Sequence, residues 1–214
     1  MTERFAIYFA PSRDTALAER AEAWLAQPDL QGLTVSARRY GFHATIKAPM
    51  ALAAGVDRAQ LEMALEEFAG RAAPVETMLH AQLLDGFLAL IPVEQARTLT
   101  DFAASAVVAF EPLRAPLESA ERQRRLKAPL SVRQIELIEL YGYPYVLEEF
   151  QFHMTLTDRL APEQREPMRA RGTEWFAEAL AAPVRLDRLV LFHEAEPGAA
   201  FRRLDDFVLK GSGS

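Results

Sequence analysis

Polar and apolar positions alternate most clearly over two short stretches of the chain, YGFHATIK from Tyr40 to Lys47 and FQFHMTLT from Phe150 to Thr157. In an extended strand, residues i and i+2 project from the same face. The first stretch is therefore expected to carry His43, Thr45 and Lys47 on one side and Phe42, Ala44 and Ile46 on the other. The second sets His153 and Thr155 against Phe152, Met154 and Leu156. In both copies a polar face with one His and one Thr backs onto a face with the composition of a core.

The rest of the chain reads as short strands alternating with amphipathic helices. Phe5, Ile7 and Phe9 alternate with Arg4, Ala6, Tyr8 and Ala10, a half-buried strand ended by Pro11, with Tyr8 on the face opposite the phenylalanines. Helical spacing of Leu17, Ala21, Trp24 and Leu25 predicts a helix from Ser12 to Gln27 with Ser12 or Asp14 as its cap, and a turn around Gly32 is expected to lead into the first motif strand. A second helix is expected from Asp57 to Gly70, then strands from Val75 to Leu84 and Phe87 to Pro92 joined at the hairpin pair Asp85-Gly86, then a helix from Val93 to about Phe110. Beyond Glu111, prolines at 112, 116 and 129 punctuate a charged segment with helices expected at Leu117 to Leu126 and Ser131 to Tyr141. After the second motif come a helix from Pro162 to about Leu180 and strands near Val184 to His193 and Phe201 to Lys210.

The two motifs belong to a larger internal repeat. Ala72-Ala73-Pro74-Val75 recurs as Ala181-Ala182-Pro183-Val184, at a spacing that matches His43 to His153 within one residue. The strand, Pro and helix at Phe5 to Leu25 also resemble those at Phe87 to Phe110, but at a shorter offset, so an insertion near Pro112 to Tyr141 is expected in the second half. The fold class that follows is α+β: two pseudo-symmetric lobes, each a small, mostly antiparallel sheet backed by helices, with the motif faces lining a cleft between them. Residues 1–210 are read as one bilobal domain, and Gly211-Ser212-Gly213-Ser214 as an appended linker. No glycine-rich strand-to-helix turn of the dinucleotide-binding kind is present.

Composition narrows the function classes. A chain of 214 residues that is 50% hydrophobic can bury a real core, and its formal charge of -6 argues against a broad electrostatic grip on nucleic acid. RNA is thus not favoured as a partner, whereas a small anion held by a few local cations fits. With no cysteine there is no disulfide, zinc-thiolate site or thiol nucleophile. The N-terminal apolar run is too short for a signal peptide and no stretch approaches membrane-spanning length, so a cytoplasmic protein, monomeric by default, is expected.

The chemistry follows from the paired strands. Two imidazoles on opposite sides of a cleft divide the roles of general base and general acid, since an unperturbed His titrates near pH 6.5. A Thr hydroxyl beside each His donates to an anionic oxygen, and Lys47 would add charge, an arrangement suited to in-line attack on a phosphodiester. One nitrogen ligand per strand, with no nearby carboxylate to complete a set, favours metal-independent chemistry with no cofactor. His80 and His193 lack the motif and are read as structural. The basic run Arg122 to Lys127 is read as a solvated helix face in a position that suits a phosphate-gripping lid.

The two motifs resemble the paired H-x-[ST] motifs of the two-histidine (2H) phosphoesterase superfamily, which includes the LigT-like RNA phosphodiesterases. IYFAP at Ile7 to Pro11, RRYGFHATIKAP at Arg38 to Pro49, RAPL at Arg114 to Leu117 and the segment from Gly142 to Thr157 further resemble a branch associated with phosphonate-utilisation (carbon-phosphorus lyase) operons. The resemblance implies metal-free cleavage of cyclic or linear phosphodiesters, with His43, His153, Thr45 and Thr155 as catalytic residues. Its operon association implies a phosphoribosyl cyclic phosphate as substrate, for which Lys47, Arg114 and the Arg122 to Lys127 run are candidate cations and Tyr8 and Tyr143 candidate positioning groups. Two alternatives remain open at the level of sequence: a 2′,3′-cyclic phosphodiesterase for nucleotides or RNA ends, and a non-catalytic binder of a phosphorylated metabolite.

Overall fold

The computed structural model describes residues 3–211, so the serine-glycine ending read as a linker falls, past Gly211, outside the described residues. In chain order the elements are β1 (Arg4–Phe9), α1 (Ala16–Ala26), α2 (Val35–Tyr40), β2 (Ala44–Met50), α3 (Arg58–Arg71), β3 (Val75–Thr77), β4 (Leu79–Leu84), β5 (Phe87–Pro92) and α4 (Arg97–Phe110). They continue with α5 (Ser119–Arg125), α6 (Val132–Tyr141), β6 (Met154–Thr155), α7 (Pro162–Phe176), β7 (Val184–Leu186), β8 (Arg188–Glu194) and β9 (Arg202–Val208).

Seven strands form one antiparallel sheet in the order β4-β5-β6-β2-β1-β8-β9, and β3 and β7 pair separately. The α+β class and the antiparallel pairing are those expected from the alternation. The two halves meet within this one sheet, because β2 and β6, the two motif strands, are hydrogen-bonded neighbours at Ala44 and Met154. The other repeated segment behaves the same way: the strands after the two Ala-Ala-Pro sequences pair with each other, Val75 against Leu186 and Thr77 against Val184. Each repeated element thus meets its own counterpart, as a pseudo-two-fold axis between β6 and β2 requires. It also explains why the strands expected at Val75 to Leu84 and Val184 to His193 are each broken in two, since their first residues leave the main sheet to meet one another.

The core lies behind the sheet. Phe5, Ile7 and Phe9 of β1 join Ile46, Met154 and Leu191 against Leu17 and Trp24 of α1, Leu61 and Leu65 of α3, Phe102 of α4 and Phe176 of α7. Each large side chain so buried contributes roughly 1.5–3 kcal/mol. Trp24, with no exposed surface, also donates its indole N–H to the carbonyl of Leu156 at 2.9 Å, fixing the C-terminal end of the second motif.

Local signals act largely as expected. Asp57 and Gln60 form a capping box at the start of α3, as Ser131 and Gln134 do for α6. Asp85 and Gly86 turn the β4–β5 hairpin with φ of 47° and 87°, the left-handed pair that such a turn demands. The cap of α1 is Thr15, whose hydroxyl accepts from Ala18 N, in place of Ser12 or Asp14. Ser12 instead supplies the carbonyl to which Thr15 N donates.

The largest departure lies before the first motif, where Val35–Tyr40 is a helix and the strand begins only at Ala44. The Asp158 carboxylate accepts from the amides of Val35 and Ser36, at 3.0 Å each, and so satisfies that helix's open N-terminus from a point far along the chain. The second motif strand is likewise shorter than expected, only Met154 and Thr155.

Candidate active site

The antiparallel register that sets Ala44 beside Met154 sets His43 across from Thr155 and Thr45 across from His153. Ala44 and Met154 point into the core with no exposed surface, so both His-Thr pairs face the opposite, open side of the sheet. The four motif residues form a quartet at the centre of the molecule, on its pseudo-two-fold axis.

The two histidines are held in the same way. His43 Nδ1 lies 2.8 Å from the carbonyl of Gly41, and His153 Nδ1 lies 2.8 Å from the carbonyl of Gln151. A carbonyl oxygen only accepts, so each Nδ1 carries the proton and each neutral ring keeps a basic Nε2. The Thr45 hydroxyl sits 3.3 Å from Nε2 of His43. Gly41 serves this geometry with φ of 75°, and a Cβ there would stand 3.3 Å from the ring of Phe192.

Burial disfavours charge on both rings. It is the main cause of the low pKa of His43, pushed down to about 4, with a smaller contribution from a charge on His153, which is therefore a near neighbour. His153 is lowered for the same first reason, opposed by its bond to the Gln151 carbonyl and by Asp85. Both rings are neutral at pH 7 in the unliganded protein, ready to accept a proton when an anion arrives.

The sequence-derived candidates around the quartet occupy different positions. Tyr8 faces away from the phenylalanines, as the alternation expected, and stacks on His43 with ring centroids 3.8 Å apart. Its hydroxyl has no hydrogen-bond partner among the described residues, and burial raises its pKa well above the ordinary tyrosine value. Tyr143 is pushed up to about 12, again by burial, and lies under the guanidinium of Arg125 at 5.5 Å.

Lys47 leaves the face on which the alternation set it. Opposite β1, Tyr8 pairs with Thr45 but Ile7 pairs with Lys47, so Ile46 is an extra residue and the bulge turns Lys47 to the side of Ile7, before a second shift sets Met50 against Phe5. Lys47 is only 2% exposed, with its ammonium on the Val107 carbonyl at 3.2 Å and in an ion pair with Glu111. Burial lowers its pKa, and Glu111 offsets part of that. Arg114 is committed to the same carboxylate, at 2.6 and 2.8 Å, and to the carbonyls of Ala115 and Leu140. Neither cation is offered to the quartet; together they brace β2, the chain after α4 and the end of α6. Outside the motifs, His193 stacks on Phe5 at 4.8 Å and pairs with Glu3 at 2.6 Å.

Two neighbours were missed by the sequence reading. Tyr40, three residues before His43, lies 6.3 Å from its ring and 5.1 Å from that of Phe201. Arg4 stands on the Tyr8 face of β1, a position that the same period-two pattern already implied.

Comparison with known proteins adds a family. The family model described as a protein of unknown function (DUF1045) matches residues 45–202. The chain belongs to this family. DUF1045 so spans the bulged part of β2, the insertion and the whole second motif. Two curated relatives, both named ribose 1,5-bisphosphate phosphokinase PhnN, come from Janthinobacterium sp. (strain Marseille), 36% identical over 98% of this chain, and Laribacter hongkongensis, 35% identical over 99%. This chain spans about half of their length, 51% and 53% respectively. Among solved structures it is similar to Escherichia coli LigT complexed with NADP+, at TM-score 0.47, 14% identity and coverage of 98% of this chain and 99% of that one. LigT complexed with 3′-AMP gives TM-score 0.47 and 15% identity over the same shares.

Proposed function

We propose that this DUF1045 chain is a metal-independent phosphodiesterase of the two-histidine type that opens a small cyclic phosphate, with a phosphorylated ribose as the sugar. The observation that carries this reading is the quartet: two imidazoles, each with Nδ1 tied to the carbonyl two residues before it, offer basic Nε2 atoms beside two threonine hydroxyls on adjacent strands. In the reaction, one Nε2 takes a proton from water as the water oxygen attacks phosphorus. The bond from phosphorus to one ring oxygen breaks, and the second imidazole, protonated, gives its proton to that oxygen. Thr45 and Thr155 donate to the non-bridging oxygens, where charge accumulates.

The low pKa of both rings suits this cycle. A bound diester anion raises them, by supplying the opposite charge that burial withholds, so the acid is protonated when substrate is in place. The curated relatives support the choice of sugar, because their printed name concerns ribose 1,5-bisphosphate, a ribose with two phosphate positions. The kinase activity in that name is not carried over: the present chain has no G-x-x-x-x-G-K-[ST] loop for a nucleotide's phosphates.

The test is turnover of cyclic ribose phosphates and of 2′,3′-cyclic nucleotides by protein freed of metal with a chelator, followed by phosphorus NMR. Conversion of the cyclic signal to a monoester, lost in His43→Ala and in His153→Ala, is the expected result. Tight binding without conversion across that panel would favour a non-catalytic binding protein instead.

A further inference from the structure

Beside the quartet, on the same face of the sheet, three arginines converge on one carboxylate oxygen. Glu121 Oε1 lies 2.6 Å from Arg125, 3.3 Å from Arg124 and 3.6 Å from Arg4. Arg4 is shared with Glu194, at 2.5 Å, and Glu194 also holds Arg39 at 2.6 Å. Four guanidiniums therefore face two carboxylates, a local excess of positive charge in a protein whose formal charge is -6.

The donors there are not fully used. The Nε of Arg125 is buried with no partner among the described residues, although the side chain is 14% exposed overall. The guanidinium lies over Tyr143, and the hydroxyls of Tyr8, Tyr40 and Tyr143, which sense one another electrostatically, make no hydrogen bond among the described residues. A buried N–H of a cation left without an acceptor is unfavourable unless something accepts from it.

The placement relative to the quartet is set by β1. Tyr8 stacks on His43, and Arg4 lies on the same face four residues away, roughly 13 Å along the strand. A cavity of about 470 Å³ opens at the Arg4 end of that span, with Arg4, Arg39, Arg124, Glu118 and Glu121 in its wall, while Arg125 and the three tyrosines lie outside that wall. Two of the three arginines come from α5, so closure of the site depends on the charged segment after Pro112.

We infer that this arginine cluster is a second anion site, built for a terminal phosphate monoester on the same sugar whose cyclic phosphate meets the two histidines. Glu121 holds the place of that phosphate: its single charge gathers Arg4, Arg124 and Arg125, and a dianionic monoester takes over the same donors together with the orphaned Nε and the tyrosine hydroxyls. The substrate is then a cyclic ribose phosphate with a second phosphate at its far end. This inference rests on the phosphodiesterase reading for the cyclic end, and it can be tested apart from it.

Ribose 5-phosphate, which carries the monoester and has no diester to cleave, is the probe for calorimetry. The wild type should bind it, Glu121→Gln should bind about tenfold more tightly because the competing carboxylate is gone, and Arg125→Gln about tenfold more weakly. Arg122→Gln, whose side chain instead pairs with Glu139 on the outer face of α5, is the control. In turnover, the ratio of kcat/KM for the cyclic ribose phosphate with and without its terminal phosphate should fall at least tenfold in Arg125→Gln. Weaker or unchanged binding in Glu121→Gln, or an unchanged ratio in Arg125→Gln, overturns the second site. Failure of every cyclic phosphate to turn over while ribose 5-phosphate still binds with this ranking would overturn the phosphodiesterase reading and leave the anion site standing.

Discussion

Tyr8 lies flat on His43, with ring centroids 3.8 Å apart and planes inclined by 21°. The stack removes water from one face of the imidazole and fixes its plane, while the Gly41 carbonyl fixes its rotation. Tyr8→Leu should relax both effects. A better solvated ring is easier to charge, so the pKa of His43 should rise from about 4 toward 6.5, and turnover should fall through loss of orientation. Proton NMR titration of the two histidines checks the shift, and Tyr8→Phe, which keeps the stack, should leave it small.

His43→Ala and His153→Ala should each lower kcat by about 10²-fold or more. The double variant should be little worse than either single one, because base and acid act as a unit. Steady-state kinetics on one cyclic substrate measures all three.

Acid should destabilise the protein through the same two rings. Both pKa values are lower folded than unfolded, that of His43 down to about 4, so below pH 6.5 the unfolded chain binds more protons than the folded one until each ring charges in the folded state. Stability is full above pH 6.5 and is lost progressively as pH falls toward 4. Urea midpoints over this range should fall less steeply in His43→Gln than in the wild type.

Lys47→Met is expected to alter KM less than threefold, because the ammonium is taken up by Glu111 and the Val107 carbonyl away from the quartet. Glu111→Ala is expected to be the harsher change. It leaves a buried lysine without its counter-charge, at a cost of about 3–5 kcal/mol by denaturant unfolding. A large KM effect of Lys47→Met with unchanged stability would return this lysine to substrate binding.

Glu194 has no exposed side-chain surface and holds both Arg4 and Arg39, so Glu194→Ala should also cost about 3–5 kcal/mol. Trp24→Phe keeps most of the packing but leaves the Leu156 carbonyl without its donor, and about 1–3 kcal/mol is expected there.

The sequence alone determined which residues face which way wherever a strand is regular. Ala44 and Met154 in the core, His43 and Thr45 on the open face, and Tyr8 opposite Phe5 and Phe9 all follow from a side-chain period of two, which local sterics impose without reference to the rest of the chain. The repeat was equally legible, and with it the α+β class, because duplicated segments fold alike.

Tertiary structure decided what depends on partners distant along the chain. The bulge at Ile46 is set by pairing with β1 and turned Lys47 inward. The helix before the first motif rests on a carboxylate that follows the second. The joining of β2 to β6 and the meeting of Arg4 with Arg125 around Glu121 depend on how two halves and an insertion pack. Alternation is a local property that one residue too many can reverse, whereas register and ion pairing are settled only when the strands meet.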